Sequence, residues 1–421
     1  MTRVRRIGRD TFASLHNRNY RLYFTGQIIS VSGTWMQRLA QAWLVLSLTD
    51  NNGVWLGIET GLQFLPMLVF GAWGGVIADR WDKRKLLYCT QTAAGLLAFG
   101  LALLVWTDTA TLPIVFAFSL ALGFTNVFDM PARQTFVMEM VGREDLPNAV
   151  GLNSVVMNSS RVLGPAVGGV FIQVVGLAPC FFFNALSFVA VLIALRMMDG
   201  SKLQKQPVVP RAKGQLRDGL RYAWSDRMVR VPLLMMAVIG TLAFNFTVVI
   251  PLMATDVFGL DAGGFGALTA VMGLGAVLGA LGAASRRGVS YKRLIGLSLA
   301  MGVAILAAAV APTLPLEVVA IFFMGMSSFA FIATANTTMQ LTSRPDMRGR
   351  VMALYGIAFL GSTPIGAPIV GWISAQWGPR MGFAVGGVVA LLAAGAAWWS
   401  LHNMREQTEE RLTDVAVRAA A

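Results

Sequence analysis

The chain has 421 residues, of which 56% are hydrophobic and only 13% charged, with a mean hydropathy of +0.63 and a net charge of +13. Soluble proteins carry about 25% charged residues, so a water-soluble fold is excluded. Nucleic acid is not the expected partner of the positive charge either. The basic residues are scattered among short gaps beside apolar runs and form no continuous patch, which points to anionic lipid headgroups.

A helix crosses the apolar core of a bilayer in about 20 residues, and twelve runs of that kind follow one another. The spans are predicted at roughly 24–48, 54–77, 86–106, 111–139, 147–175, 177–198, 231–256, 264–284, 294–311, 316–341, 350–375 and 380–401. Of the 34 Lys and Arg residues, all but Arg38, Arg133, Arg161 and Arg380 fall in every second gap between these runs. Basic loops stay on the cytoplasmic side of a membrane. The N-terminal arm, Arg80 to Lys85, Arg143, Arg196 to Arg230, Arg286 to Arg293, Arg344 to Arg350 and the C-terminal tail are therefore expected to share the cytoplasm, with both termini inside. Met1 to Arg21 shows no small-residue cleavage pattern, so the first span is expected to stay.

Between the sixth and seventh spans lies the longest and most basic connection, irregular around Pro207 and Pro210. It divides the chain into a six-helix half at 1–198, a linker at 199–230, a second six-helix half at 231–401 and a tail at 402–421. Within the linker Leu216, Leu220 and Trp224 recur every four residues while Arg217, Arg221 and Arg227 face elsewhere. That pattern suits either an amphipathic helix on a membrane surface or a solvated linker helix. Gly164, Pro165, Gly168 and Gly169 in the fifth span return weakly as Ala367, Pro368 and Gly371 in the eleventh. The expected fold is an all-α membrane protein with twelve transmembrane helices in two pseudo-symmetric six-helix bundles, a plan in which substrate binds near mid-membrane.

Polar residues inside the spans are the candidate machinery. On the first span Gln27, Ser30, Thr34, Gln37 and Gln41 recur at spacings of three and four with Arg38 beside them, so one helix face is polar and is expected to line a cavity. Arg38 lies about 14 residues, or about 21 Å, into its span. A charge at that depth costs at least about 3 kcal/mol unless paired or hydrated, which leaves substrate contact and structural pairing both open. Ser154, Asn158 and Arg161 step along the fifth span in the same way. Two arginines at such depth suit an anionic or strongly polar ligand, or balance internal carboxylates.

The carboxylates within or near the spans are Glu59, Asp129 and Glu139, and Asp129 has Arg133 at i+4. Asp129 with Arg133 is the first candidate for a protonation site, against the alternative of a permanent ion pair. Burial and a neighbouring cation push a carboxyl in opposite directions, so a conformational change can load or release a proton. Glu59, nearer the outer face and expected to be hydrated, is a second candidate. No ionisable residue lies deep in a span of the second half, so coupling is expected in the first. Asn245 and Asn336, with Thr247, Thr334, Thr337, Gln340, Ser362, Thr363, Phe244, Phe246, Phe329 and Phe331, form either a binding wall or ordinary packing.

Cys89 and Cys180 are expected to be free thiols, and His16 and His402 sit in polar flanks. No metal, cofactor or enzyme chemistry is expected, because a nucleotide-binding Gly-rich loop, a metal-ligand cluster and a catalytic Ser/His set are all missing from the sequence.

The most specific local signal is Gly75-Val-Ile-Ala-Asp79-Arg80-Trp-Asp82-Lys83-Arg84-Lys85 in the turn between the second and third spans. Gly75 permits close helix approach, and Asp79 can pair with a cation or a helix N-terminus in one conformation and release it in another, a conformational latch. A plain basic anchor is the alternative. This stretch resembles the loop motif of the major facilitator superfamily, with Asp82 at the position of the motif's second glycine. Gly164-Pro165-Ala-Val-Gly168-Gly169 resembles the Gly-Pro-x-x-Gly-Gly core that the superfamily associates with antiporters and exporters, with Ser160 at the first glycine of the wider motif. Leu15 to Gln27, Gly33 to Arg38 and Pro131 to Gln134 resemble its branch of enterobactin exporters and bacterial drug efflux proteins.

The resemblance implies a multi-pass inner-membrane protein that exports a small amphiphilic molecule, siderophore-like or a drug, in exchange for protons by alternating access. A proton-coupled uptake symporter is the alternative. The expected partners are a small-molecule substrate, protons and membrane lipids, with the chain acting as a monomer.

Overall fold

The computed structural model describes residues 12–204, 215–285, 290–344 and 346–420, without the side chains of Ala72, Arg143, Gln215, Leu216 and residues 403–420. The predicted irregular stretch at Pro207 and Pro210, the first part of the N-terminal arm and Arg286 lie outside the described residues.

The described residues form helices and no strands. They are α1 (Arg18–Leu48), α2 (Gly53–Arg80), α3 (Lys83–Trp106), α4 (Leu112–Gly142), α5 (Glu144–Val175) and α6 (Leu177–Met197). After the linker come α7 (Gln215–Ser225), α8 (Arg227–Leu242), α9 (Phe246–Leu252), α10 (Ala262–Ala284), α11 (Tyr291–Val310), α12 (Leu314–Thr342), α13 (Arg348–Leu360), α14 (Thr363–Trp377) and α15 (Pro379–Ala420). Eleven spans among the described residues are long and apolar enough to cross a membrane, α8 with α9 and α13 with α14 each counting as one. The twelfth is α1, which has 31 residues but whose polar face dilutes its hydropathy.

Side-chain caps fix several starts. Asn17 accepts from the amides of Asn19 and Tyr20 and so begins α1 at residue 18, earlier than the predicted 24. Asn52, Asp226 and Ser290 cap α2, α8 and α11 in the same manner. Asp82 accepts from the amide of Lys85 at 3.0 Å and caps α3. Its φ of −62° needs no glycine, which accounts for the departure from the superfamily motif. The fourth and fifth spans are two helices that meet at a kink at Gly142, whose φ of 75° suits a residue without a Cβ. The seventh span is interrupted after Leu242 and ends in a π-helical turn, Met253–Val257. The eleventh is broken at residues 361–362, and α15 runs past the predicted end at 401 to Ala420.

The chain divides into two compact units. Unit 1 comprises the described parts of Met1–Arg211, Phe246–Leu274 and Thr363–Pro379. At its basic end Tyr20, Tyr23, Leu87, Phe136, Met140 and Leu195 form a buried cluster. The Leu15-to-Gln27 motif ties that end together: Tyr20 donates to the carbonyl of Ala149 at 2.8 Å, and Asn19 exchanges two 2.9 Å bonds with the backbone of Asp199. Asp199 itself accepts from the amide and hydroxyl of Ser201, which holds its carboxyl below the usual carboxylate range.

At the opposite end of unit 1 the contacts are between small residues. Lipid is as apolar as a leucine side chain, so close backbone packing, not hydrophobicity, holds membrane helices together. Gly53, Gly57 and Gly61 of α2 face Gly371, Ala367 and Pro368 of α14. Gly169 of α5 faces Gly263 and Gly266 of α10, with a Cβ at Gly169 falling 3.0 Å from the Gly266 Cα. Unit 2 comprises the described parts of Ala212–Asn245, Gly275–Ser362 and Arg380–Ala421. Its buried side chains include Met236, Ile239, Met301, Ile305, Met324 and Phe331. Gly302 and Gly387 bring α11 against α15, where Ser298 donates to the carbonyl of Ala390 at 2.9 Å.

Candidate functional site

The polar face of α1 divides in two. Gln27, Ser30, Gln37 and Gln41 are buried within unit 1, at most 3% exposed, whereas Thr34 and Arg38 are half-buried. Gln37 accepts from Asn184 of α6, and Ser187 supports that amide with a 2.9 Å bond. Of this predicted face only Thr34 and Arg38 are part-exposed, and the glutamines make their hydrogen bonds inside the bundle. Thr34 bonds back to the carbonyl of Ser30.

Two carboxylates are tied to this helix, Glu59 directly and Asp129 through Arg133. Asp129 of α4 is paired with Arg133 one turn on, and the hydroxyl of Thr90 and the amide of Gln91, both on α3, each donate to it at 2.7 Å. The guanidinium of Arg133 also donates to Gln27 of α1. Glu59 of α2 accepts from Gln41 of α1 at 2.8 Å, from Ser119 of α4 at 2.7 Å and from Thr60 at 3.4 Å. Glu59 is 5% exposed, which corrects the expectation that it is hydrated. Gln41 and Ser119, neither of them charged, replace the water that its position in the span suggested.

Arg38 and Arg161 come together over one ring. Their guanidinium carbons lie 4.9 and 5.1 Å from the centroid of Trp35, within cation–π range. Trp35 can sit there because Gly164 of α5 has no Cβ: an added one would meet the Trp35 Cβ and fall 2.8 Å from the Ser32 carbonyl. Gly168 faces Met36 of α1 in the same way, and Ser160 shares a 2.9 Å hydrogen bond with Ser32. Ser160, in the place of a motif glycine, thus supplies a polar tie between α1 and α5. Pro165 is buried beside it, and Asn158 donates to the carbonyl of Ser154.

The predicted latch residues are spread over the basic end. Gly74 makes the close approach to α4, at Val127, with Gly75 next to it. Asp79 and Arg80 are exposed. Lys83 pairs with Glu139 at 3.2 Å, both largely buried, and also reaches the Asp79 carbonyl. Arg84 donates to the carbonyls of Leu195 and Arg196 at the end of α6.

In unit 2 Asn245 is 3% exposed in the break between α8 and α9 and donates to the carbonyl of Thr241. Asn336 accepts from Gln340 at 2.6 Å. Phe244 lies 6.5 and 5.8 Å from the rings of Phe331 and Phe359, and Phe359 stacks on Tyr355, an aromatic group of which the sequence indicated Phe244 and Phe331. The sequence reading also missed Trp35, Thr60, Thr90, Gln91 and Ser119, whose only signal was a polar or aromatic side chain facing a helix with candidates of its own. Among the described residues no group of three or more His, Cys, Asp and Glu side chains could hold a metal ion.

A family model described as transmembrane secretion effector matches residues 9–417. The chain is 25% identical to the multidrug efflux pump Tap of Mycolicibacterium fortuitum, over 81% of this chain and 85% of that protein. It is 24% identical to the enterobactin exporter EntS of Escherichia coli, over 86% of each. It is 26% identical to the staphyloferrin A transporter of Staphylococcus aureus over 62% of this chain, and that match spans 65% of the relative, just under two thirds of its length. Among solved structures, a bacterial homolog of the human lysosomal transporter Spinster superposes with a TM-score of 0.72 at 14% identity, covering 91% of this chain and 97% of that one. The nucleoside transporter NupG gives 0.72 at 13% identity, covering 91% and 98%. These likenesses show the fold.

Proposed function

We propose that this chain, which belongs to the transmembrane secretion effector family of the major facilitator superfamily, exports a small amphiphilic anion across the bacterial inner membrane in exchange for protons. The observation that carries the reading is the pair of guanidinium groups on Trp35, held inside a membrane-spanning bundle by α1 and α5. Two cations so close repel one another in a low-dielectric setting, and an anionic group bound between them offsets that cost. A planar, electron-rich substrate adds stacking on the indole. Relatives named for siderophore and drug transport fit a substrate of this class.

Helix α1 is the transmitting element in this proposal. Gln27 touches the Asp129–Arg133 pair and Gln41 touches Glu59, 14 residues or about 21 Å further along, with Thr34 and Arg38 between them. A proton taken up by Asp129 removes the charge that orients Arg133 and so loosens its hold on Gln27. Substrate release at Arg38 and proton binding at Asp129 are then coupled through one rigid helix. The halves 1–198 and 231–401 alternate about the linker as a monomer with both termini in the cytoplasm. Asp79, Arg80, Lys83, Arg84 and Gly75 latch the basic end, and Asn245 and Asn336 contribute to the substrate path from the second half. Exposed Leu220 and Trp224 rest α7 on the lipid surface.

The test is flux in vesicles under an imposed proton gradient, comparing an anionic catecholate with a lipophilic cation. Gradient-driven movement of the anion, abolished in Arg38→Gln with Arg161→Gln, is expected. Movement of the cation alone, or of neither, overturns the anionic assignment. Higher cellular accumulation of the anion in Asp129→Asn cells marks export, and lower accumulation marks a symporter.

A further inference from the structure

Glu317 sits in the first turn of α12, within unit 2, and is fully buried. Neither of its carboxyl oxygens has a hydrogen-bond partner among the described residues. Its sequence neighbours Leu316 and Ala320, with Ala311 just past the end of α11, line an apolar groove of about 570 Å³. Arg380, at the start of α15, lies at the same end of unit 2. That guanidinium is already committed, donating to the carbonyls of Ala309 at 3.0 Å and Ala311 at 2.7 Å, where it caps the end of α11. No ion pair within 4.0 Å joins the two side chains among the described residues. The other cations on elements packed against α12 are far away: Arg227 and Arg230 on α8, Lys292 and Arg293 on α11, and Arg348 and Arg350 on α13 lie at the opposite ends of those helices, and α10 carries none.

Three influences compete on this carboxyl. The amino terminus of α12 and the nearby Arg380 favour the ionised form. Full burial among apolar groups without a single donor favours the neutral acid. A buried carboxylate is normally satisfied by donors on both oxygens, as Asp129 and Glu59 are, and the contrast with Glu317 decides the balance. We propose that Glu317 is a proton-binding site in the second half of the chain, protonated in the conformation seen here and ionised when Arg380 leaves the end of α11 to pair with it. The proton passes to water as the carboxylate forms, and the pair Glu317–Arg380 replaces the Arg380 bonds to Ala309 and Ala311. This rests on the proton-coupled reading above for its role in transport, but not for the protonation state itself.

Infrared difference spectroscopy on the reconstituted full-length protein at neutral pH reads the protonation directly. A carboxylic-acid carbonyl band that shifts in heavy water is expected in the wild type. It should be lost in Glu317→Gln and retained in both Glu317→Asp and Arg380→Gln. The absence of a band difference between wild type and Glu317→Gln overturns the proposal, as does a band that arises only in Arg380→Gln, because that marks a permanent ion pair. A second readout addresses coupling: Glu317→Gln should flatten the pH profile of gradient-driven flux while leaving substrate binding within about twofold. A lost band with an unchanged pH profile would make Glu317 a buried acid outside the transport cycle and overturn its coupling role alone. Failure of Asp129→Asn to alter flux bears on the earlier reading and leaves the band assignment standing.

Discussion

Asp129 and Glu59 are buried carboxylates in the same unit, yet they are held by different chemistry. Asp129 has a cation on its own helix and two neutral donors on α3, whereas Glu59 has neutral donors only, from α1, α2 and α4. Removing one partner of a buried ion pair costs about 3–5 kcal/mol, because the other charge is left uncompensated. Losing a neutral hydrogen bond costs about 1 kcal/mol. In the proposed cycle the Asp129 site changes state only if Arg133 moves, while the Glu59 site is retuned by the rotation of a hydroxyl or an amide. Both act on α1, one through Gln27 and one through Gln41.

The comparison is broken most severely at Asp129. Asp129→Asn should abolish gradient-driven flux and lower stability by about 3 kcal/mol, read by thermal unfolding in detergent. The double variant Asp129→Asn with Arg133→Gln should recover much of the stability but none of the coupling. Next in size is the clamp that holds α1 in place. Gly164→Val drives a side chain into Trp35 and the Ser32 backbone and should cost about 1–3 kcal/mol along with anion binding, whereas Gly151→Ala, with nothing within 4 Å of an added Cβ, should leave both unchanged. Glu59→Gln, which keeps the site's shape and an acceptor for Gln41 and Ser119, should cost about 1–2 kcal/mol and reduce flux without abolishing its gradient dependence. The smallest effect belongs to Ser119→Ala, about 1 kcal/mol, with flux still dependent on Glu59. Equal flux loss in Glu59→Gln and Asp129→Asn would erase the distinction between the two sites.

Much of this was visible in the amino-acid sequence. Span positions follow from apolar runs and loop charge, which set the turn at Gly142 between the fourth and fifth spans, whereas the breaks after Leu242 and beside Ser362 were missed because apolar runs persist across them. The i, i+4 relation of Asp129 and Arg133 raised an ion pair as the alternative to a protonation site, and the two side chains are paired in the structure. A helix wheel marks α1 as polar but does not assign partners, so the division of its face between Gln37 and Arg38 emerged only once α4, α5 and α6 were packed around it. Glu59 was misread as hydrated because depth along a span says nothing of Ser119, a single hydroxyl in an apolar run. Asp82 looked like a lost glycine until its role as a helix cap was seen. Glu317 lay at a span edge, where exposure is the ordinary expectation, and its burial comes from the packing of α11 and α12.

Proton movement measured together with substrate movement in vesicles tests the coupling through α1 most directly. With an outward-directed substrate load and a pH indicator in the lumen, the wild type should exchange the two, and Asp129→Asn should carry substrate down its gradient with no proton signal. Undiminished proton exchange in Asp129→Asn would contradict the account.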